Sequence, residues 1–190
     1  MDRYYEVVSK AIRKHDPNHL YLGSRLIRVS GIESAIRAYG KHADVMSINW
    51  YGAWMLEPER TANWAEWTDK PYIISEWYAK GHDVPGLTNE SGAGWLVKTQ
   101  KERGYYYQNM ALNLLARKNA VGWHWFRYSD NDPEDLTTDP SNRNSNKGIV
   151  NVEYELYTDL ANAMKQVNKQ AYRLIDFFDD SASAHDDQGE

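Results

Sequence analysis

The chain contains no cysteine, which excludes a disulfide framework, a thiol nucleophile and a thiolate metal site. No apolar run approaches the ~18 residues that a membrane span requires, so no membrane partner is expected. Met1-Asp2-Arg3-Tyr4-Tyr5-Glu6 lacks the basic-then-apolar pattern of a signal peptide. Basic runs are missing and the formal net charge is −5, which argues against nucleic acid. There is no Gly-x-Gly-x-x-Gly and no phosphate loop, so a nucleotide-binding doubly wound fold is not expected and no cofactor is called for. Phenylalanine is scarce, at 3 residues, whereas there are 8 Trp and 14 Tyr among 190 residues. Tyr and Trp combine a flat apolar face with a polar handle, which suits sugar rings and wet clefts.

Hydrophobic periodicity and turn signals predict alternating elements. Residues 4–15 read as a helix with Tyr5, Val7, Val8, Ala11 and Ile12 facing a core, ended by Asp16-Pro17-Asn18. His19–Arg25 reads as a buried strand, Ile32–His42 as a short helix and Asp44–Tyr51 as the next strand. A polar helix over Thr61–Asp69 leads into the strand ending at Glu76. Residues 92–118 read as the longest helix, Ala120–Phe126 as a fourth strand and Leu156–Phe178 as a final helix. Residues 179–190 read as a disordered acidic tail. Such alternation predicts βαβ units with a parallel sheet, hence an α/β class.

Polar and aromatic residues gather at the C-terminal ends of the predicted strands: Arg25, Asn49, Tyr51, Glu76 and Trp125. Barrel enzymes keep their chemistry there. The sharpest instance is Lys70-Pro71-Tyr72-Ile73-Ile74-Ser75-Glu76-Trp77-Tyr78, an apolar run that ends in a carboxylate among aromatics. A desolvated carboxylate needs a partner or a task. The competing reading is an ordinary strand-end glutamate paired with a surface arginine.

Ile74-Ser75-Glu76-Trp77-Tyr78 and Gly122-Trp123-His124-Trp125-Phe126-Arg127-Tyr128 resemble the C-terminal half of retaining (β/α)₈ glycoside hydrolases. The clan in question carries its catalytic glutamates on strands 4 and 7, and the likeness is greatest to the agarase and porphyranase branch. The resemblance covers residues 4–175 as strands 5 to 8, a half-barrel domain over residues 1–178. It implies hydrolysis of a polysaccharide such as agarose or another galactan, and a bacterial parent enzyme that is secreted or periplasmic. It implies Glu76 as nucleophile, Tyr51 as hydrogen-bond donor to it, and Trp125 as the floor under the sugar. Asn49, Arg25, Trp77 and Trp123 complete the implied substrate-binding set. The acid/base glutamate of the family follows an Asn on strand 4, which precedes this chain. The alternative function is a non-catalytic carbohydrate-binding half-barrel.

Strict alternation along a strand puts Ile74 with Glu76 and Asn49 with Tyr51, with Trp77 turned toward the helices. Plain core packing competes with sugar stacking for Trp125, and more strongly for Trp123. Arg25 either binds a sugar hydroxyl or pairs with Glu76. Asn89-Glu90-Ser91 repeats the Asn-Glu dipeptide but reads as the cap of a helix. Asp130-Asn131-Asp132-Pro133-Glu134-Asp135 invites a cation, yet an EF-hand loop requires Gly and an acidic residue where Asp135 and Ser141 stand. His124 is expected to be packed and hydrogen-bonded, with no metal. Lys80-Gly81-His82-Asp83 is expected to border the cleft. The edge strands Leu20–Arg25 and Val121–Phe126 are expected to lack neighbours, leaving Met46, Ile48, Ile73 and Ile74 partly wet. Either a homodimer through those edges or aggregation, without glycosidase activity unless the missing half is supplied, is the corresponding expectation.

Overall fold

Strand β2 (Tyr72–Trp77) lies at the centre of a three-stranded sheet, between β1 (Met46–Asn49) and β5 (Ala120–Trp125). The computed structural model describes residues 1–135, 137, 139 and 144–186, with side chains to residue 180. The other elements are α1 (Asp2–His15), α2 (Glu33–Gly40), α3 (Pro58–Trp67), β3 (Ala79–Gly81), β4 (Trp95–Val97), α4 (Gln100–Leu115), α5 (Thr158–Asn168) and α6 (Ala171–Asp186). The class is mixed α/β with small parallel sheets. The chain falls into two compact units. One comprises Met1–Trp50, Leu56–Glu76 and Asn119–His124, and the other Tyr51–Met55, Trp77–Lys118 and the chain from Trp125.

In the first unit, β1 pairs with β2 in parallel, and Met46, Ile48 and Ile74 are fully buried. The expectation that they stay wet is therefore corrected; Ile73 alone of the four keeps partial exposure. Burying such side chains stabilises by roughly 1.5–3 kcal/mol each. Trp64 of α3 meets Trp50 and Tyr72 edge-on and donates its indole N–H to the Ser30 carbonyl. Tyr39 of α2 packs on Tyr5 of α1, donates its hydroxyl to the Leu22 carbonyl and accepts the Ser47 N–H. Burial pushes its phenol well above the ordinary range.

The expected strand His19–Arg25 does not form. Gly23 turns the backbone to φ +64°, and only Leu26 bridges in parallel to Ile48. Any side chain at residue 23 would collide with the Tyr39 ring. On α1, Tyr5 and Ser9 are buried while Val7 and Ile12 remain exposed.

In the second unit, α4 packs on α5, with Gly104 so close that an added Cβ would lie 2.8 Å from the Ala163 Cβ. Tyr107 donates to Asn168 across the same contact at 2.9 Å. The expected helix over 92–118 begins late. Trp95–Val97 instead pairs in parallel with Ala79–Gly81, so Leu96 sits on a strand, and Thr99 caps α4 by accepting the Glu102 N–H. Apolar Trp95-Leu96-Val97 satisfies either pattern, and the cap decides. The predicted helix 156–178 is two helices, and α6 continues to Asp186, through residues 179–186 of the expected disordered tail. Among the described residues no helix is long and apolar enough to cross a membrane.

Candidate active site

Strict alternation fails at the residue that matters. Ile48 pairs with Ile74, but Asn49 pairs with Glu76, so Ser75 is one extra residue, a bulge. The expectation that Ile74 and Glu76 share a face is corrected by that shift of phase. Tyr72 packs on Trp64 of α3, and Trp77 stacks on Tyr107 of α4. A bulge shifts the phase of side chains along a strand, and here the shift falls immediately before Glu76. The bulge residue spends its hydroxyl on Asn49, Ser75 Oγ donating to Oδ1 at 2.8 Å. Asn49 is thereby fixed at the end of β1. Because β1 stops there, alternation does not carry to Tyr51, whose ring stands edge-on to Tyr78.

Glu76 is 9% exposed. Its Oε1 is met by Nη1 of Arg25, whose side chain is 58% exposed. A pair open to solvent on one side adds little stability, about 0–1 kcal/mol, so its consequence is orientation of the carboxylate. Arg25 thus takes the second of its two expected roles.

The tryptophans divide. Trp77 is fully buried against Tyr106, Tyr107 and Trp125, and has no surface to offer a ligand, contrary to its expected place among the substrate contacts. Among the described residues its buried Nε1 has no hydrogen-bond partner. Trp125 is half-buried: Trp77 meets it edge-on, the Arg103 guanidinium lies 5.5 Å from its ring, and its Nε1 donates to the Lys147 carbonyl at 2.8 Å. Trp123 is half-buried on β5, and Val121 and His124 are exposed, so His124 is not the packed histidine expected. Among the described residues no group of three His, Cys, Asp or Glu is placed to hold a metal ion.

The structure also contains a polar knot in the second unit that sequence reasoning missed. Asp130 accepts the Lys147 and Gly148 N–H groups at 2.6 Å each, the Asn146 amide at 3.1 Å and the Tyr157 hydroxyl at 2.5 Å. Burial, and next the Asp130 carboxylate, push the Tyr157 phenol upward. Arg103 is wholly buried, donating to the carbonyls of Ala79 and Gly148, and burial lowers its pKa to about 10. Lys80 donates to the carbonyls of Asn89, Ser91 and Gly92, and burial depresses its pKa as well. Asn89 is no helix cap: it donates to Gly81, accepts from Asn146 and occupies φ +58°, while Glu90 is exposed. Lys80-Gly81 is therefore inside the fold rather than at a cleft, and Asp83 accepts from Gln100. Asp130, the first residue of the suggested cation loop, is committed to the protein; Ser141 lies outside the described residues. The clustered acids at 130–135 were the one visible trace of this knot.

No family model matches the chain. It is 30% identical over 172 residues to β-agarase B of Vibrio sp. (strain JT0107), covering 90% of this chain and 17% of that protein. The solved structure of BpGH50 superposes with a TM-score of 0.84 at 38% identity, over 94% of this chain and 37% of the other. An exo-β-agarase structure gives 0.81 at 32% identity, over 92% and 23%. Over nine-tenths of its length, then, this chain is similar to a segment of β-agarases several times longer than itself.

Proposed function

We propose that this chain is part of a retaining glycoside hydrolase that cleaves O-glycosyl bonds in agarose or a related galactan, with Glu76 as nucleophile. The observation that carries the reading is a carboxylate immediately after a bulge at the C-terminal end of the central parallel strand, where a guanidinium orients it. Similarity to β-agarases supplies the substrate class. In this reading the chain supplies strands 5 to 8 of a (β/α)₈ barrel, whose chemistry sits at the strand C-termini.

Glu76 attacks the anomeric carbon while a second carboxyl protonates the departing glycosidic oxygen. The same group then deprotonates water, which hydrolyses the glycosyl ester. That mechanism requires carboxyl groups about 5–5.5 Å apart. Glu90 is exposed beside an Asn89 committed to its loop, so we place the acid/base elsewhere in the protein. Arg25 and Asn49 position the reacting end of the sheet, Tyr51 donates a hydrogen bond, and Trp123 and the open part of Trp125 face the sugar.

The test uses the protein that contains this chain, with agarose oligosaccharides. NMR of the first-formed product should show retained anomeric configuration. An activated fluorosugar should leave a glycosyl adduct on the Glu76 peptide. Inverted product sinks the retaining mechanism, and an adduct on another residue sinks Glu76.

A further inference from the structure

In the second unit, a cavity of about 230 Å³ opens beside the residues that follow β5, lined among others by Arg127, Asn131, Asp132, Asp135, Val152 and Tyr154. Its informative member is Asn131. This side chain is 3% exposed, yet among the described residues neither its Oδ1 nor its Nδ2 has a hydrogen-bond partner. The adjacent Asp130 is saturated by four groups, so the contrast is between neighbours in sequence. A buried polar atom left unpaired is costly, and Asn131 carries two of them.

The unmet needs are of both kinds, one donor and one acceptor. A cation would satisfy Oδ1 and be repelled by the amide hydrogens. An anion would meet Nδ2 but face Asp132 and Asp135. A neutral hydroxyl both gives and takes a hydrogen bond, as Asn131 requires. Arg127, whose Nε is spent on the Ser129 carbonyl at 3.1 Å, adds donors, and the two aspartates add acceptors for hydroxyl protons. The rim carries Tyr154, which is 72% exposed and held at φ +63°. Its turn is set by Asn151, which accepts the Glu155 N–H at 2.7 Å. A bulky residue in the left-handed region is uncommon, and here it presents an aromatic face at a polar opening. The volume falls below the ~300–1,000 Å³ of drug-sized sites and suits a single sugar ring.

We propose that this cavity is an accessory sugar subsite, which takes one neutral galactan residue through Asn131 and Tyr154. The proposal rests on the polysaccharide reading above but not on Glu76. Side-chain amide NMR of the whole chain tests it, by titration with galactose and with an agarose-derived tetrasaccharide. The Asn131 side-chain amide should shift and saturate, equally in the parent and in Glu76→Gln. Tyr154→Ala, at an exposed position safe for folding, should weaken that binding about tenfold, the loss of roughly one good contact. In Asn131→Ala, read instead at the backbone amide of Tyr154 on the cavity rim, the response to sugar should be lost while thermal unfolding is preserved.

A response near Glu76 with none at Asn131 would overturn the subsite and leave the enzyme reading standing. A response at Asn131 with none near Glu76 would uphold the subsite, and the adduct experiment on the intact protein then decides Glu76 separately. Shifts at Asn131 with calcium chloride but not with sugar would overturn the subsite in favour of a cation, and no shift with either would leave a water-filled cavity only.

Discussion

Glu76 and Asp130 are both buried carboxylates, and they differ in the groups seen to meet them. Asp130 is surrounded by backbone N–H groups, an amide and a tyrosine hydroxyl that are themselves inside the fold. Glu76 is met by an arginine whose side chain is more than half in water. A carboxylate accepting several buried donors is fixed by its surroundings and is unavailable for chemistry. One held from the solvent side, at the end of a strand, is oriented and still approachable. On the proposed reading the two sites separate structural from functional burial of charge, and substitutions should separate them too.

The largest effect is expected at Glu76. Glu76→Gln is nearly isosteric, so unfolding should change little, while turnover of agarose by the intact protein should fall by a factor on the order of 10⁴–10⁶, as when a member of the reacting machinery is removed. Near-parent turnover would erase the distinction by making Glu76 a second structural carboxylate.

Asp130→Ala should behave in the reverse manner. It leaves the Lys147 and Gly148 N–H groups and the Tyr157 hydroxyl without their acceptor, beside a wholly buried Arg103. Breaking one partner of such a network costs about 3–5 kcal/mol. For a chain of this size that lowers the melting temperature by on the order of 10 °C, readable by circular dichroism. A melting temperature within ~2 °C of the parent would show that the knot is not what fixes the second unit.

Trp125 tests where the boundary lies. It is a candidate sugar platform and also a neighbour of Trp77, Tyr107 and Arg103. Trp125→Ala should cost about 2–3 kcal/mol of stability from lost packing and the bond to Lys147. Calorimetry on agarose oligosaccharides in the same variant decides the rest. Weakened affinity at unchanged stability would place Trp125 wholly with the sugar.

Legibility in the sequence follows the same division. The Glu76 strand was readable because an apolar run ending in a carboxylate is a local signal, as were α2, α3 and β5. The bulge at Ser75 was not, since a register depends on the partner strand. The failed strand at 19–25 had apolar residues enough, but Gly23 takes a left-handed turn under Tyr39, a contact 16 positions away along the chain. The knot was least legible: Lys80, Asn89, Arg103, Asp130 and Lys147 come from distant segments, and each alone reads as a surface residue. Buried polar networks have no periodicity to announce them. Asn131 was visible only as one member of an acidic cluster, and its unmet bonds emerge once the neighbours are placed.

The smallest expected effect lies at the exposed extreme of the comparison. Glu6 on α1 accepts from Lys10 at 2.6 Å and Arg3 at 2.8 Å, and these bonds, Lys10 first, lower its pKa to about 2. A carboxyl depressed in the folded state contributes stability above its ordinary value of 4.5 and loses it as pH falls toward 2. Both partners are solvated, so the contribution is minor even where it is complete. Urea midpoints for Glu6→Gln and the parent should nearly coincide at pH 2, and the parent should gain slightly more on going to pH 7. Asp130→Ala, by contrast, should lie well below both at neutral pH. If Glu6→Gln destabilised as much as Asp130→Ala there, solvent exposure would not be the variable that separates the carboxylates of this protein.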